Sequence, residues 1–331
     1  MLHDPLISVI VPLYNKGPYV ERALDSIIKQ TYTVFEIIVV DDGSTDHGPT
    51  IVNNLATQNK QIHLITQRRS GPAAARNRGI KESSGSFIAF LDADDEWEPH
   101  FLTLAVSTFA THPSAAAVAL AYRIVYPRGS CHVPHFQCGV PPGGSGIVHN
   151  YFQAILAGAP PICTPSVVIR RPVFDDLGGF PPVRRGQDTA LWSSMALSYS
   201  IAFVNVISTT VHLDADRAYR AALRLLPVND DEAKHVLSPL DRALTNGLLP
   251  EAIAAAVRRY RSRRLAEMIR QNLMCGRPVD ARRIFARFGH GPVSLLHESR
   301  ITLYLAATFL PPICPKIYWS LQYFLWTAFK Y

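Results

Sequence analysis

Three carboxylates crowd the end of one apolar run. Phe87-Ile88-Ala89-Phe90-Leu91 reads as a buried strand, and Asp92-Ala93-Asp94-Asp95 follows at once. Carboxylates this close repel one another unless they share a cation. A hard divalent ion, Mg2+ or Mn2+, suits oxygen ligands and commonly bridges to phosphates. The expectation is a strand that presents a metal to a nucleotide diphosphate. A solvated acidic turn is the plainer alternative at this point.

The elements around the acids favour the first reading. Residues 6–12, 35–40, 62–66 and 86–91 read as strands, and 18–29, 47–59, 72–82 and 99–111 as the helices that follow them. In 18–29, Tyr19, Val20, Ala23, Leu24, Ile27 and Ile28 form one helical face. Four strand–helix units in a row predict an α/β fold with a mostly parallel sheet covered on both faces. In such sheets ligands bind outside the C-terminal ends of the strands. Residues 115–126 read as a strand. The Pro-, Gly- and His-rich stretch 127–147 reads as a long loop, either a lid over an acceptor or a surface insertion. Helices are expected at 151–156, 172–177 and 188–199, and strands at 166–170 and 201–207.

Beyond residue 215 the composition turns to Ala, Leu and Arg. Helices are expected at 216–226, 231–246, 250–274 and 278–288, so 216–300 reads as a helical appendage to a catalytic unit at 1–215. Charge divides the same way. Residues 1–215 hold 15 Lys and Arg against 17 Asp and Glu, a net of −2; residues 216–331 hold 18 against 9, a net of +9. A basic C-terminal part suits an anionic partner, such as a membrane surface or nucleic acid, or else a solvated helix face. Residues 301–331 add two apolar, aromatic-rich runs around Pro315 and Lys316, each short of the ~20 residues that span a bilayer. They are expected to lie at a membrane interface, or to pack as a core helix. The five cysteines form no C-x2-C pair, which argues against zinc and for a reducing compartment. Met1-Leu2-His3-Asp4-Pro5 has no positive run or cleavage site ahead of the first strand, so no secretory leader is expected there. Cytoplasmic residence, at the cytoplasmic face of the membrane, is the expectation, with no nucleic-acid partner.

Three more clusters fall at predicted strand ends: Pro12-Leu13-Tyr14-Asn15 after the first, Asp41-Asp42-Gly43-Ser44-Thr45-Asp46 after the second, and Ala75-Arg76-Asn77-Arg78-Gly79 ahead of the central strand. Further on come Gly178-Gly179-Phe180 and Gly186-Gln187-Asp188 with Leu191-Trp192. In this order, over residues 6–215, they resemble the catalytic domain of glycosyltransferase family 2, with its GT-A fold. The resemblance implies an inverting, metal-dependent transfer of a sugar from a nucleotide-diphosphate donor, UDP-sugar foremost, to a saccharide or lipid-linked saccharide. It implies donor-binding roles for Pro12, Tyr14, Asp41, Asp42, Asn77, Asp92 and Ala93. Asp94, Asp92 and His212 would face the metal, Asp92 and Asp94 being the outer positions of a D-x-D motif. Asp188 would be the general base that takes the acceptor hydroxyl's proton; a helix cap is the alternative role. His212 could equally be a structural histidine after a strand. Gln187 departs from the family's usual Glu and removes one negative charge beside the base.

Two rivals fail on spacing. A dinucleotide-binding dehydrogenase would carry G-x-G-x-x-G after the first strand, where Pro12-Leu13-Tyr14-Asn15-Lys16-Gly17 stands. A haloacid-dehalogenase-like phosphatase would carry its D-x-D on the first strand, not the fourth. A non-catalytic nucleotide-sugar-binding or membrane-scaffold protein of the same fold stays open as the alternative.

Overall fold

The computed structural model of the protein describes residues 4–213 and 226–289. Its N-terminal part alternates as the patterning predicts. β1 (Ile7–Leu13), α1 (Gly17–Ile28), β2 (Phe35–Asp41), α2 (Gly48–Gln58), β3 (Ile62–Thr66), α3 (Pro72–Glu82) and β4 (Phe87–Phe90) follow in turn. α1, α2 and α3 each begin with proline in the first turn, where its missing N–H costs nothing. β1 pairs in parallel with β2 and β4, and β2 with β3.

The second half changes direction. β5 (Glu96–Trp97) and α4 (Phe101–Thr111) lead into β6 (Ala115–Val125); then come β7 (Cys131–His132), β8 (Ser145–Ile147), α5 (Tyr151–Ala157), β9 (Val167–Arg170), α6 (Pro172–Leu177), α7 (Gln187–Ser198) and β10 (Ser200–His212). The ten strands form one sheet in the order β3-β2-β1-β4-β9-β6-β10-β5, with β7 beside β6 and β8 beside β10. β9 runs antiparallel between β4 and β6, while β6 and β10 are parallel to each other.

β10 runs to His212, past the expected end at 207, so His212 is the last residue of the strand rather than a residue beyond it. Its second half is disguised because Ser208, Thr209 and Thr210 are polar yet fully buried. Distant segments satisfy two of the hydroxyls: Thr209 donates to the Pro165 carbonyl and Thr210 accepts from Arg123 Nε at 2.8 Å. The 127–147 loop is less open than its composition suggests, since Cys138 and Val140 join the core and β7 and β8 pair with the sheet.

Alternate residues of the central strands enter opposite faces, as a period of two requires. Val9, Val11, Phe87 and Ala89 pack against α1 and α4 through Val20, Leu24, Ile27 and Phe101. Ile10, Ile88 and Phe90 face Phe174, Phe180 and Trp192. The C-terminal helices α8 (Asp230–Thr245), α9 (Glu251–Met274) and α10 (Pro278–Phe288) complete the described chain. Leu240, Val257 and Tyr260 enter the same cluster as Phe90, so α8 and α9 close one face of the sheet. Fully buried Arg261 on α9 ties α8 to the end of α10, through Asp241 and the Phe288 carbonyl. The expected helix at 216–226, the boundary at 215 and the tail at 301–331 lie outside the described residues, apart from residue 226. Among the described residues no helix is long and apolar enough to cross a membrane.

Candidate active site

The loops after β1 and β2 are knitted together before any ligand is considered. Asn15 takes a left-handed φ of 50°, a conformation Asn tolerates better than most residues. This lets its backbone N–H donate to Ser44 Oγ at 3.0 Å while its Oδ1 accepts from the Thr45 N–H at 2.8 Å. Asp41, 3% exposed, accepts from the Ser44 N–H at 2.9 Å through Oδ1. Its Oδ2 has no partner among the described residues. Tyr14 stands beside this pair, its ring 4.2 Å from the Arg69 guanidinium carbon. Pro12, half-buried, is held by β2 register opposite Val40.

Asp42 is used differently from Asp41. Its Oδ1 accepts from Gln67 Nε2 at 2.8 Å and from the Ser70 N–H at 2.7 Å, and its Oδ2 from the Gly71 N–H at 2.7 Å. The carboxylate therefore clamps the loop that carries Arg69. Asn77 is also committed elsewhere. Its Nδ2 donates to the Phe180 carbonyl at 2.8 Å and its Oδ1 accepts from the Phe180 N–H at 2.9 Å. Gly179 makes this possible: it sits at φ 76°, and a Cβ there would lie 2.6 Å from Asn77 Oδ1.

The acids after β4 meet cations of the chain itself. Arg76 Nη2 lies 2.6 Å from Asp92 Oδ1, and Lys16 Nζ 2.8 Å from Asp94 Oδ2. Arg22 also donates to the Asp94 carbonyl. Asp94 is buried, whereas the Asp92 side chain is 30% exposed. Buried Ala93 separates them and packs with Leu91. Asp95 turns toward β10 and accepts from the His212 N–H at 2.8 Å, and His212 Nε2 lies 3.0 Å from Glu96 Oε1. β5 causes this arrangement, since Glu96 and Trp97 pair with Thr210 and Thr209. His212 is thus engaged by Glu96 and Asp95 rather than by Asp92 or Asp94.

Asp188 is the second residue of α7, and Gly186, at φ 71°, holds the N-cap position. Asp188 Oδ1 accepts from the Thr189 N–H at 2.7 Å, where the helix N-terminus favours an anion. Burial opposes the charge of the Arg76 guanidinium, but Asp92, by field and hydrogen bond, and then Asp188 hold it charged, its pKa above the ordinary value. Cys163 reports the same neighbourhood. Burial first, then Asp95, Asp92 and Asp188, push its thiol well above the usual range. The charges of Asp95, Asp92 and Asp188 are thus all felt at the Cys163 thiol. Gln187 is buried, and its Oε1 has no partner among the described residues. A carboxylate at that position would carry an uncompensated charge.

Within the motif at 75–79 it is Arg76, the neighbour of Asn77, that meets an acid, and Lys16 meets another from the loop after β1. Neither Lys16 nor Cys163 stands in a pattern that marks it in the sequence. A cation within a motif, facing a predicted acid cluster, was the available signal for Arg76.

Asp92 and Asp94 supply two carboxylates, the oxygen ligands that a hard divalent ion takes, one of them partly open. Among the described residues no group of three or more His, Cys, Asp or Glu side chains is placed to hold a metal ion.

An open sheet with an antiparallel strand beside β4, an acid pair at the end of β4 and a further acid opening α7 define a GT-A domain. Solved structures agree in fold. The structure of S. aureus TarS residues 1–349 in complex with UDP-GlcNAc aligns with a TM-score of 0.57 at 19% identity, covering 91% of this chain and 80% of that one. The mannosyltransferase PcManGT from Pyrobaculum calidifontis, in complex with GDP-Man and Mn2+, aligns with a TM-score of 0.54 at 21% identity, covering 94% and 82%. An uncharacterized glycosyltransferase of Rickettsia felis is 32% identical over 206 residues, 62% of this chain and 32% of that protein. The glycosyltransferase GlyA of Streptococcus pneumoniae is 39% identical over 122 residues, 37% of this chain and 18% of GlyA. The chain thus spans about a third or less of these two relatives. The description Glycosyl transferase family 2 matches residues 8–178, more than half of the chain, and the chain belongs to that family.

Proposed function

We propose that the protein transfers a sugar from a nucleotide-diphosphate donor to a hydroxyl of a saccharide or lipid-linked saccharide, with inversion. The single observation that carries this is Arg76, whose guanidinium meets Asp92 at 2.6 Å beside the Asp94 motif and is held charged by the field of Asp92 and then of Asp188. Asp41 Oδ2 accepts from the base or ribose, with Tyr14 and Arg69 alongside, and Asp42 keeps that loop in place. Asp92 and Asp94 hold Mg2+ or Mn2+. When bound, the ion offsets negative charge on the departing diphosphate. Asp188 takes the proton from the acceptor oxygen as it attacks the anomeric carbon opposite the diphosphate. The TarS and PcManGT complexes, with UDP-GlcNAc and with GDP-Man and Mn2+, support a nucleotide-sugar donor and a divalent ion. UDP-sugars are the first donors to try. Membrane attachment at the cytoplasmic face, through residues 301–331, would bring a lipid-linked acceptor within reach.

Release of nucleotide diphosphate from a panel of nucleotide sugars, with cell extract as acceptor, tests the reading. Turnover should require Mn2+ or Mg2+. Asp188→Asn should lower kcat by roughly 10²–10⁴ and leave the nucleotide Kd within twofold. Nucleotide binding without turnover by the unaltered protein would favour the non-catalytic alternative.

A further inference from the structure

We infer that Lys16 is the resident counter-ion of Asp94 and passes to the donor diphosphate when a divalent ion takes Asp94. This rests on the metal-dependent donor site proposed above. Lys16 Nζ and Asp94 Oδ2 are 2.8 Å apart, with side chains only 14% and 7% exposed. Lys16 precedes α1 in the loop after β1, the loop that the resemblance sets under the nucleotide. It therefore joins the donor loop to the D-x-D acid. The second acid of the motif is matched in the same way, Asp92 by Arg76.

A divalent ion and the Lys16 amine compete for the same Asp94 carboxylate. Metal on Asp94 displaces the amine toward an anion, and a diphosphate that takes the amine opens Asp94 to the metal. Metal and donor are therefore expected to bind with positive coupling, and coupling of this kind is reciprocal.

The two cations are not equivalent. Arg76 is buried, and its planar fork is held on Asp92. Lys16 is a point charge on a flexible stem, suited to exchange one anion for another. Its amine also lies 6.0 Å from the centre of the Tyr19 ring, a face that tolerates a cation in transit. Of the acids that follow the motif, Asp95 accepts from the His212 N–H and Glu96 faces the His212 ring.

The test measures binding, not turnover. Mn2+ affinity is read by electron paramagnetic resonance of the free ion, with and without UDP or GDP, on the full chain. In the unaltered protein, nucleotide should tighten Mn2+ at least tenfold. Lys16→Met should bind Mn2+ alone at least tenfold more tightly, because Asp94 is released. The same variant should bind nucleotide at saturating Mn2+ at least tenfold more weakly. Lys16→Gln should behave likewise, and guards against a folding defect peculiar to one variant. Unchanged or weaker Mn2+ binding in both variants would overturn the inference, since Lys16 would then only brace the loop. If the unaltered protein binds neither Mn2+ nor nucleotide, the proposed donor site fails, and this inference with it.

Discussion

Arg76 on α3 and Asp92 after β4 meet at 2.6 Å, with Arg76 shielded and Asp92 partly open. The pair fixes the D-x-D loop against a helix sixteen residues earlier in the chain. Removing the cation strands the acid. Breaking a fully buried pair costs roughly 3–5 kcal/mol; Asp92 is 30% exposed, so water recovers part of that. Arg76→Met is expected to lower stability by about 2 kcal/mol in chemical denaturation, and to weaken nucleotide binding. A variant as stable as the parent would show that solvent already satisfies Asp92.

Asp41 and Asp42 are neighbours with separable tasks. Asp42 accepts three hydrogen bonds from residues 67–71, while Asp41 keeps one carboxylate oxygen without a protein partner among the described residues. Charge-assisted bonds contribute about 1.5–3 kcal/mol each, and Asn in place of Asp42 can accept only part of them. Asp42→Asn is expected to cost on the order of 2 kcal/mol in stability. Asp41→Asn is expected to weaken nucleotide binding with a smaller change in melting temperature. Thermal unfolding and calorimetric titration with UDP, run on both variants, separate the two tasks.

Cys138 links the 127–147 loop to the core, and burial pushes its thiol from 9.0 up to about 12. Between these values the unfolded chain has lost the proton and the folded chain keeps it. Fewer protons bound when unfolded means that stability falls as pH rises. The contribution is fully present below pH 9 and is lost as pH rises from there through about 12. The melting temperature is expected to decline between pH 9 and 11, and to decline less steeply in Cys138→Ala. Parallel declines would assign the effect to other groups, such as Tyr122, whose hydroxyl burial also pushes up.

Much of this architecture was legible in the sequence, because β1, β2 and β4 are apolar on both faces for most of their length and α1, α2 and α3 open with proline. The direction of β9 was not, since Val167–Arg170 carries no mark of its antiparallel neighbours. β10 was cut short because Ser208, Thr209 and Thr210 are polar, and only tertiary partners make them acceptable core residues. At the site, residue types were legible and their pairings were not. Asn77 looked like a ligand-facing amide, yet it holds Phe180, 103 residues away. His212 looked like a metal neighbour, yet β5 turns Glu96 and Asp95 to meet it. Such pairings depend on contacts between distant segments, which local pattern does not encode.

The most direct measurement is anomalous diffraction from crystals of the protein soaked with Mn2+ and UDP. The expected result is a manganese peak within bonding distance of an Asp94 oxygen, with diphosphate beside it, and the Asp188 carboxylate facing that diphosphate. A peak remote from Asp94, or Asp188 turned away from the diphosphate, would contradict a metal-held donor facing an aspartate base.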